Sequence, residues 1–269
     1  MAEVTRDNHP IHYQVHGPEG APTLLLVMGL GMTARSWDTL PARLAERFRV
    51  VTFDNRGTGR SGKRLGIPSM AVLADDAACV LRAVGVTEAR PAFVFGISLG
   101  GMISQELVLR HPGLVQALAL GATHAGFLRA RWPSLRSMAA FLALITLGPG
   151  PRGFRMARLC ISPDFRTGQA SEFDRWLSVI ERSPAATNLM HLMAVLRHST
   201  HRRLKSLKIP TVIISGDVDA IIPVENARAL EQLIPDARLV ILPGAGHVFP
   251  LEQPQQTVQA LSEHFLGAA

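Results

Sequence analysis

The sequence predicts an α/β fold in which a mostly parallel sheet is flanked by helices. Short apolar runs rich in Val, Ile and Leu alternate along the chain with longer segments of helical period. Runs such as Thr23–Val27 and Thr211–Ile214 are almost wholly apolar, which is typical of strands covered on both faces. The 269 residues, 47% of them hydrophobic, are enough for one large domain with a buried core.

The predicted elements follow one another through most of the chain. The strands are Ile11–His16, Thr23–Gly29, Arg49–Asp54, Ala92–Ile97, Val115–Gly121, Pro210–Gly216 and Arg238–Pro243. The helices between them are Ser36–Arg47, Met70–Val84, Leu99–Arg110, Val224–Leu233 and Pro254–Leu266. Because parallel strands end at one edge of a sheet, we expect catalytic groups on the loops that follow their carboxyl ends.

The alternation stops between residues 124 and 208, and this stretch is predicted to be a helical cap over the sheet. Helical spacing recurs there in Arg129–Leu147, Phe173–Ile180 and Ala186–His198, and no strand pattern appears. The chain is therefore divided into an α/β core, residues 1–123 and 209–269, and a cap, residues 124–208.

The net charge of +7 belongs to the predicted cap. Between His124 and Pro210, fourteen Lys and Arg stand against four Asp and Glu, a net charge of +10 that leaves −3 for the rest of the chain. With one Tyr and 6% aromatic residues, platforms for base stacking are scarce, so no nucleic-acid partner is predicted. A solvated basic face is the favoured interpretation, and selection of anionic substrates or of an acidic carrier protein is the alternative.

The sequence indicates a reduced, cytoplasmic protein. Two cysteines, Cys79 and Cys160, cannot build a disulfide framework, and the first ten residues lack the apolar segment of a signal peptide. The longest apolar runs, 23–28 and 138–147, are shorter than the ~20 residues of a membrane helix, so no membrane association is predicted.

Neither a metal nor a cofactor is predicted. No glycine-rich nucleotide motif follows a strand. His191, His198 and His201 could share one side of a helix, but no carboxylate completes a ligand set around them.

The pentapeptide Gly96-Ile-Ser-Leu-Gly100 has the G-x-S-x-G pattern that presents a nucleophilic serine. It follows an apolar strand and opens a helix, which is the context that a nucleophile elbow requires. Glycines flank the serine because a Cβ two residues away would clash in so sharp a turn. The helix N-terminus favours developing negative charge, so Ser98 is the predicted nucleophile.

Two later loops supply the predicted base and its carboxylate. Asp219 follows the strand that ends at Gly216, and His247 follows the last strand. A serine needs a base and the base needs an orienting carboxylate. Asp217 is the less favoured alternative to Asp219, because its position suits a turn residue.

Four motifs together resemble the α/β-hydrolase family, over nearly the whole chain. They are Met28-Gly-Leu-Gly31, the loop Asp54–Ser61, the elbow, and Gly216-Asp-Val-Asp219 with Gly246-His247. The order Ser98, Asp219, His247 is that of the family. Within it, the sequence is similar to serine esterases, enol-lactonases and methylesterases, although Met28 stands where relatives usually carry His.

The resemblance implies an acyl-enzyme mechanism in which the backbone N–H groups of Leu30 and Leu99 form the oxyanion hole. Met28, His124 and Phe141 are predicted to line the substrate site. The predicted function is hydrolysis of a small carboxylic ester or lactone.

Other chemistries fit the same triad. C–C bond hydrolases, thioesterases and cofactor-free perhydrolases are alternatives, and so is a ligand-binding protein that keeps the triad without turnover.

Overall fold

The computed structural model describes residues 2–62, 66–146, 158–179, 181 and 183–267, and an eight-stranded sheet forms its centre. The strands are β1 Ala2–Arg6, β2 His9–His16, β3 Thr23–Val27, β4 Arg49–Phe53, β5 Ala92–Ile97, β6 Val115–Gly121, β7 Thr211–Gly216 and β8 Arg238–Leu242. Their order across the sheet is β1-β2-β4-β3-β5-β6-β7-β8. Strands β3 to β8 pair in parallel, and β1 and β2 join them antiparallel at one edge, so the predicted fold class is confirmed.

The helices connect these strands on both faces of the sheet. They are α1 Leu40–Leu44, α2 Met70–Ala83, α3 Leu99–Arg110, α4 Leu135–Thr146, α5 Pro163–Gly168, α6 Ala170–Val179, α7 Ala185–Arg197, α8 His201–Leu204, α9 Glu225–Leu233, α10 Phe249–Glu252 and α11 Pro254–Gly267. None of these described helices is long and apolar enough to cross a membrane.

Alternate side chains of β3 enter two separate cores, as the period of a buried strand requires. Leu25 and Val27 pack in the core that contains residues of α2, α3 and α9. Leu24 and Leu26 pack in the opposite core, which contains residues of α1 and α11. Burial on both faces explains why the sequence of this strand is continuously apolar.

The structure differs from the prediction at two places near the start of the chain. Strand β1 was not predicted, because its edge position leaves it largely exposed and polar. It turns into β2 through Asp7 and Asn8, both at positive φ, in the two-residue turn that suits a hairpin. The single helix predicted at Ser36–Arg47 is divided into a 3₁₀ turn and α1, because Asp38 has a φ of 52°.

The segment between β6 and β7 holds helices α4 to α8. The β pairing among its described residues is limited to one isolated bridge, between Gly126 and Ser199. Helix α4 begins later than predicted because Pro133 precedes it, and residues 147 and 180, where two predicted helices end, lie outside the described residues. The boundaries of the cap, residues 124 and 208, stay a prediction.

Helix α6 is joined to the loop before α1 by polar contacts. The guanidinium of Arg175 donates two hydrogen bonds to the carboxylate of Asp38, at 2.6 and 2.7 Å. The indole N–H of Trp176 donates to the carbonyl of Ser36 at 3.1 Å. The chain between β6 and β7 is therefore anchored to the loop that follows β3.

Candidate active site

Ser98 lies in the turn between β5 and α3, in a backbone conformation that a non-glycine residue rarely adopts. Its φ is 56° and its ψ is −120°. Such a conformation costs about 1–3 kcal/mol and persists only where its surroundings enforce it. Here the Ser98 N–H donates to the carbonyl of Gly121 at 2.9 Å, and the hydroxyl of Thr123 donates to the Ser98 carbonyl at 2.8 Å. The turn places the serine at the N-terminus of α3, at the carboxyl edge of the sheet.

The two glycines of the motif allow backbones to approach closely. A Cβ on Gly96 would collide with the carbonyl of Gly100, and a Cβ on Gly100 would collide with the carbonyl of Val27 in β3. Neither obstacle is a flexible side chain. The spacing of the pentapeptide is therefore fixed by the packing of α3 against the sheet.

His247 and Asp219 form a buried hydrogen-bonded pair. Oδ2 of Asp219 accepts from Nδ1 of His247 at 2.8 Å, and the Asp219 side chain has no exposed surface. Oδ1 of Asp219 accepts from the N–H groups of Ile221 and Ile222, at 2.8 and 2.9 Å. Because a carboxylate can only accept, the proton of a neutral His247 lies on Nδ1 and leaves Nε2 as the basic nitrogen.

Asp217 is placed differently. Its Oδ1 accepts from the N–H of Gly244 at 2.7 Å, and the residue is exposed. It thus ties together the loops after β7 and β8 without touching His247. Of the two candidate aspartates, the structure brings Asp219 to the histidine.

The loop that carries Leu30 is held by contacts from distant segments. Nδ2 of Asn55 donates to the carbonyl of Met28 at 2.9 Å. The N–H of Ser183 donates to the carbonyl of Gly31 at 3.2 Å. These two bonds fix the backbone on either side of Leu30.

Two cavities meet at Ser98. The first, of about 80 Å³, is lined by His247 and is called the His247 cavity below. The second, of about 440 Å³, extends under α4 and α7 and is called the apolar cavity. Four residues line both: Leu30, Ser98, Phe141 and Ile221.

Every predicted site residue except Asp219 lines at least one of these cavities. Met28 lines the His247 cavity, whereas Leu99 and His124 line the apolar cavity. Phe141 stands between the two. Asp219 lies behind His247, where its buried side chain contacts the imidazole.

The basic residues of the predicted cap do not reach the serine in the described part of the chain. Neither cavity there has a Lys or Arg in its wall. Arginines line a neighbouring surface groove instead, which shares Phe127 and Leu196 with the apolar cavity. Its basic residues are Arg129, Arg197, Arg202 and Arg203, together with His201. Among the described residues, therefore, no Lys or Arg lies near enough to Ser98 to select an anionic substrate there.

The three histidines that could share one side of a helix do not do so. His191 contacts the carbonyl of Arg56 at 2.9 Å, and His198 contacts the side chain of Gln105 at 3.2 Å. His201 lies beyond the end of α7, in α8. No group of three His, Cys, Asp or Glu suited to a metal occurs among the described residues.

Sequence reasoning missed Glu252, a buried carboxylate that holds the loop of His247. Its Oε1 accepts from the N–H of Gly246 at 3.0 Å, and its Oε2 accepts from the N–H of Ser162 at 2.9 Å. Burial raises the pKa of Glu252, and the two hydrogen bonds oppose that shift. The residue joins the turn before His247 to the N-terminus of α5.

Replacing Glu252 with glutamine is expected to destabilise the protein. Glutamine keeps the shape but exchanges one acceptor oxygen for an NH₂ group, which leaves one buried N–H unpaired. We expect the free energy of unfolding, measured by urea denaturation, to fall by about 1–3 kcal/mol. The control Glu19→Gln, at an exposed turn residue, should change it by less than about 0.5 kcal/mol. Equal losses in the two variants would contradict the role given to Glu252.

The chain matches the family described as alpha/beta hydrolase fold over residues 22–254. It belongs to this family. The family and the enzyme class that the motifs predicted, an α/β-hydrolase, are therefore confirmed.

Individual relatives are similar over almost their whole length. RutD of Azorhizobium caulinodans, whose name proposes a carbamate hydrolase, is 31% identical over 261 residues, or 91% of this chain and 90% of its own. A crystal structure of a hydrolase from Pseudomonas aeruginosa is 26% identical, with a TM-score of 0.84 over 99% of this chain and 98% of its own. The enol-lactonase of Burkholderia xenovorans, at 22% identity, shares the fold with a TM-score of 0.86 over 98% of this chain and 100% of its own.

Proposed function

We propose that this α/β-hydrolase cleaves a carboxylic ester or lactone of a small molecule through an acyl-enzyme, with Ser98 as nucleophile, His247 as base and Asp219 as its orienting carboxylate. The observation that carries the proposal is the 2.8 Å bond between Asp219 and Nδ1 of His247, in a histidine that lines the same cavity as Ser98. Together with the elbow, this arrangement supports nucleophilic acyl transfer.

The chemistry follows from the two nitrogens of His247. Nε2 takes the proton of the Ser98 hydroxyl while Oγ attacks the carbonyl carbon and the carbonyl electrons move onto oxygen. The N–H groups of Leu30 and Leu99 stabilise this oxyanion. Collapse breaks the bond to the leaving alcohol, which takes the proton from Nε2, and water then repeats the sequence to release the acid.

The positions of the two cavities support a proposed place for each half of the ester. His247 must reach the leaving oxygen to protonate it, so the alcohol belongs in the His247 cavity. The acyl group then extends the other way, into the apolar cavity, which His247 does not line. The volumes of about 80 and 440 Å³ therefore favour a small alcohol and a bulky acyl group.

Carbamate hydrolysis is the function that the likeness to RutD would suggest. A small carbamate is polar, whereas the larger cavity has walls of Leu, Ile, Val, Met and aromatic side chains around Ser98 and His124. Such a cavity favours an apolar substrate. An ester or lactone with an apolar acyl group therefore fits it better than a small carbamate does.

Labelling by a fluorophosphonate tests the proposal, because it requires an activated serine. We expect mass spectrometry to find one adduct on Ser98, absent from Ser98→Ala and retained in Ser36→Ala, whose serine lines the same cavity. A panel of ethyl esters, lactones, thioesters and carbamates would then rank the substrate classes. A protein that takes no label and hydrolyses no acyl substrate would be a binding protein, and the proposal would be wrong.

A further inference from the structure

The apolar cavity contains an imidazole, that of His124, which the proposed mechanism does not use. Of the described side chains in its wall, only those of Ser98, His124 and Trp132 carry a polar atom, and the others are hydrocarbon or thioether. His124 ends the turn after β6 and is 2% exposed. A polar group in so apolar a wall is suited to fixing the orientation of a ligand.

The hydrogen bonds of His124 determine where its proton lies. Nδ1 accepts from the N–H of Gly126 at 3.2 Å, so a neutral ring carries its proton on Nε2. Nε2 makes no hydrogen bond to any described residue. Burial lowers the pKa of His124 to about 4, and the ring is therefore neutral at neutral pH.

Neighbouring residues hold both the backbone and the ring of His124. Nε2 of Gln105 donates to the carbonyl of His124 at 3.2 Å, and Oε1 of Gln105 accepts from the hydroxyl of Thr200 and from His198. The indole of Trp132 packs edge-on against the ring, with centroids 5.7 Å apart. The buried network thus holds the backbone of His124, and the Gly126 N–H and the indole of Trp132 hold the imidazole itself.

We infer that Nε2–H of His124 donates a hydrogen bond to an oxygen of the acyl group, so that the favoured substrates are esters with an apolar acyl chain that carries a ketone or ether oxygen. This inference rests on the proposed function, since it places the acyl group in the apolar cavity. A carboxylate at this position is excluded, because burial of a charge against a neutral donor and hydrocarbon walls is costly. The matching group is a neutral acceptor.

The test compares the hydrolysis of ethyl hexanoate with that of its 4-oxo and 5-oxo derivatives. The rate of each reaction is measured from the release of protons. We expect the wild-type protein to favour at least one oxo ester by about tenfold in kcat/KM, the effect of one neutral hydrogen bond. His124→Phe keeps a ring of similar size but removes the donor, and should bring this ratio to within about twofold of one. His124→Gln retains an N–H near the position of Nε2 and should restore part of the preference.

The control is His201→Phe, which removes an imidazole from the surface groove and should leave the ratio unchanged. A wild-type protein without preference, or a preference that survives His124→Phe, would overturn the inference. Because the readout is a ratio, a general loss of activity in one variant does not imitate the effect. Thermal unfolding of each variant shows whether it is folded.

The inference and the proposed function can fail separately. The labelling and the activity of Ser98→Ala test whether Ser98 is the nucleophile, and this result does not depend on His124. That variant also allows a binding measurement with hexanamide and 5-oxohexanamide by calorimetry, with and without His124→Phe. Tighter binding of the oxo compound that is lost with His124→Phe supports the inference even if no ester is hydrolysed, and equal binding of the two amides contradicts it.

Discussion

Alanine in place of Ser98 is expected to lower kcat for ester hydrolysis by about 10⁶-fold, the loss seen when a protease triad loses its serine. The hydroxyl is the only group that would form the acyl-enzyme, and no other described residue occupies the elbow. Alanine has a Cβ as serine does, so the strain of the backbone at φ 56° is the same in both proteins. The variant should therefore fold equally well and leave the thermal midpoint nearly unchanged.

The measurement is the single-turnover rate with the best ethyl ester of the panel, which separates chemistry from product release. Ser206→Ala provides the control, because this exposed serine lines neither cavity and has no role in the proposed chemistry. It should retain most of the wild-type rate. A loss of less than about 100-fold in Ser98→Ala would remove the acyl-enzyme from the mechanism.

Asparagine at position 219 is expected to lower kcat by about 10⁴-fold, as for the corresponding aspartate in a protease triad. Its Oδ1 can still accept from the N–H groups of Ile221 and Ile222, so the loop is kept. Its NH₂ group, however, donates to Nδ1 of His247 and forces the proton onto Nε2. That nitrogen then cannot accept the proton of Ser98.

The matched control lies two residues away. Asp217→Asn keeps an oxygen that can accept from the N–H of Gly244, and we expect kcat to change by less than about threefold. The comparison decides between the two aspartates on activity, with thermal unfolding as the check that both variants fold. Similar losses of kcat in the two variants would contradict the assignment of Asp219.

The parts of the fold that depend on local pattern could be read from the sequence. The strands that lie inside the sheet, such as β3 and β7, are buried on both faces and consequently have continuous apolar runs. Strand β1 has no such run, because its edge position leaves most of its side chains exposed and only Val4 packs against the core. Asp38 breaks a helix by its backbone conformation, and its residue type alone does not reveal that break.

The same division applies to the site. Ser98, Asp219 and His247 could be proposed from the sequence because each follows a strand in a characteristic turn, and parallel strands bring their loops to one edge. Glu252 had no such signal, since its partner Ser162 is 90 residues away and contributes only a backbone N–H. Contacts of this kind depend on how the segment between β6 and β7 packs, which no local spacing records.

Phe141, which lines both cavities, belongs to α4, and so do Leu135, Met138 and Leu142 in the wall of the apolar cavity. The pair of Asp219 and His247 comes from loops after β7 and β8 that contain none of these residues. One short helix can therefore accumulate changes in size and shape while the reacting groups stay untouched. If the proposed function holds, substitutions in this helix would change which acyl groups are accepted during evolution while leaving the reacting groups unchanged.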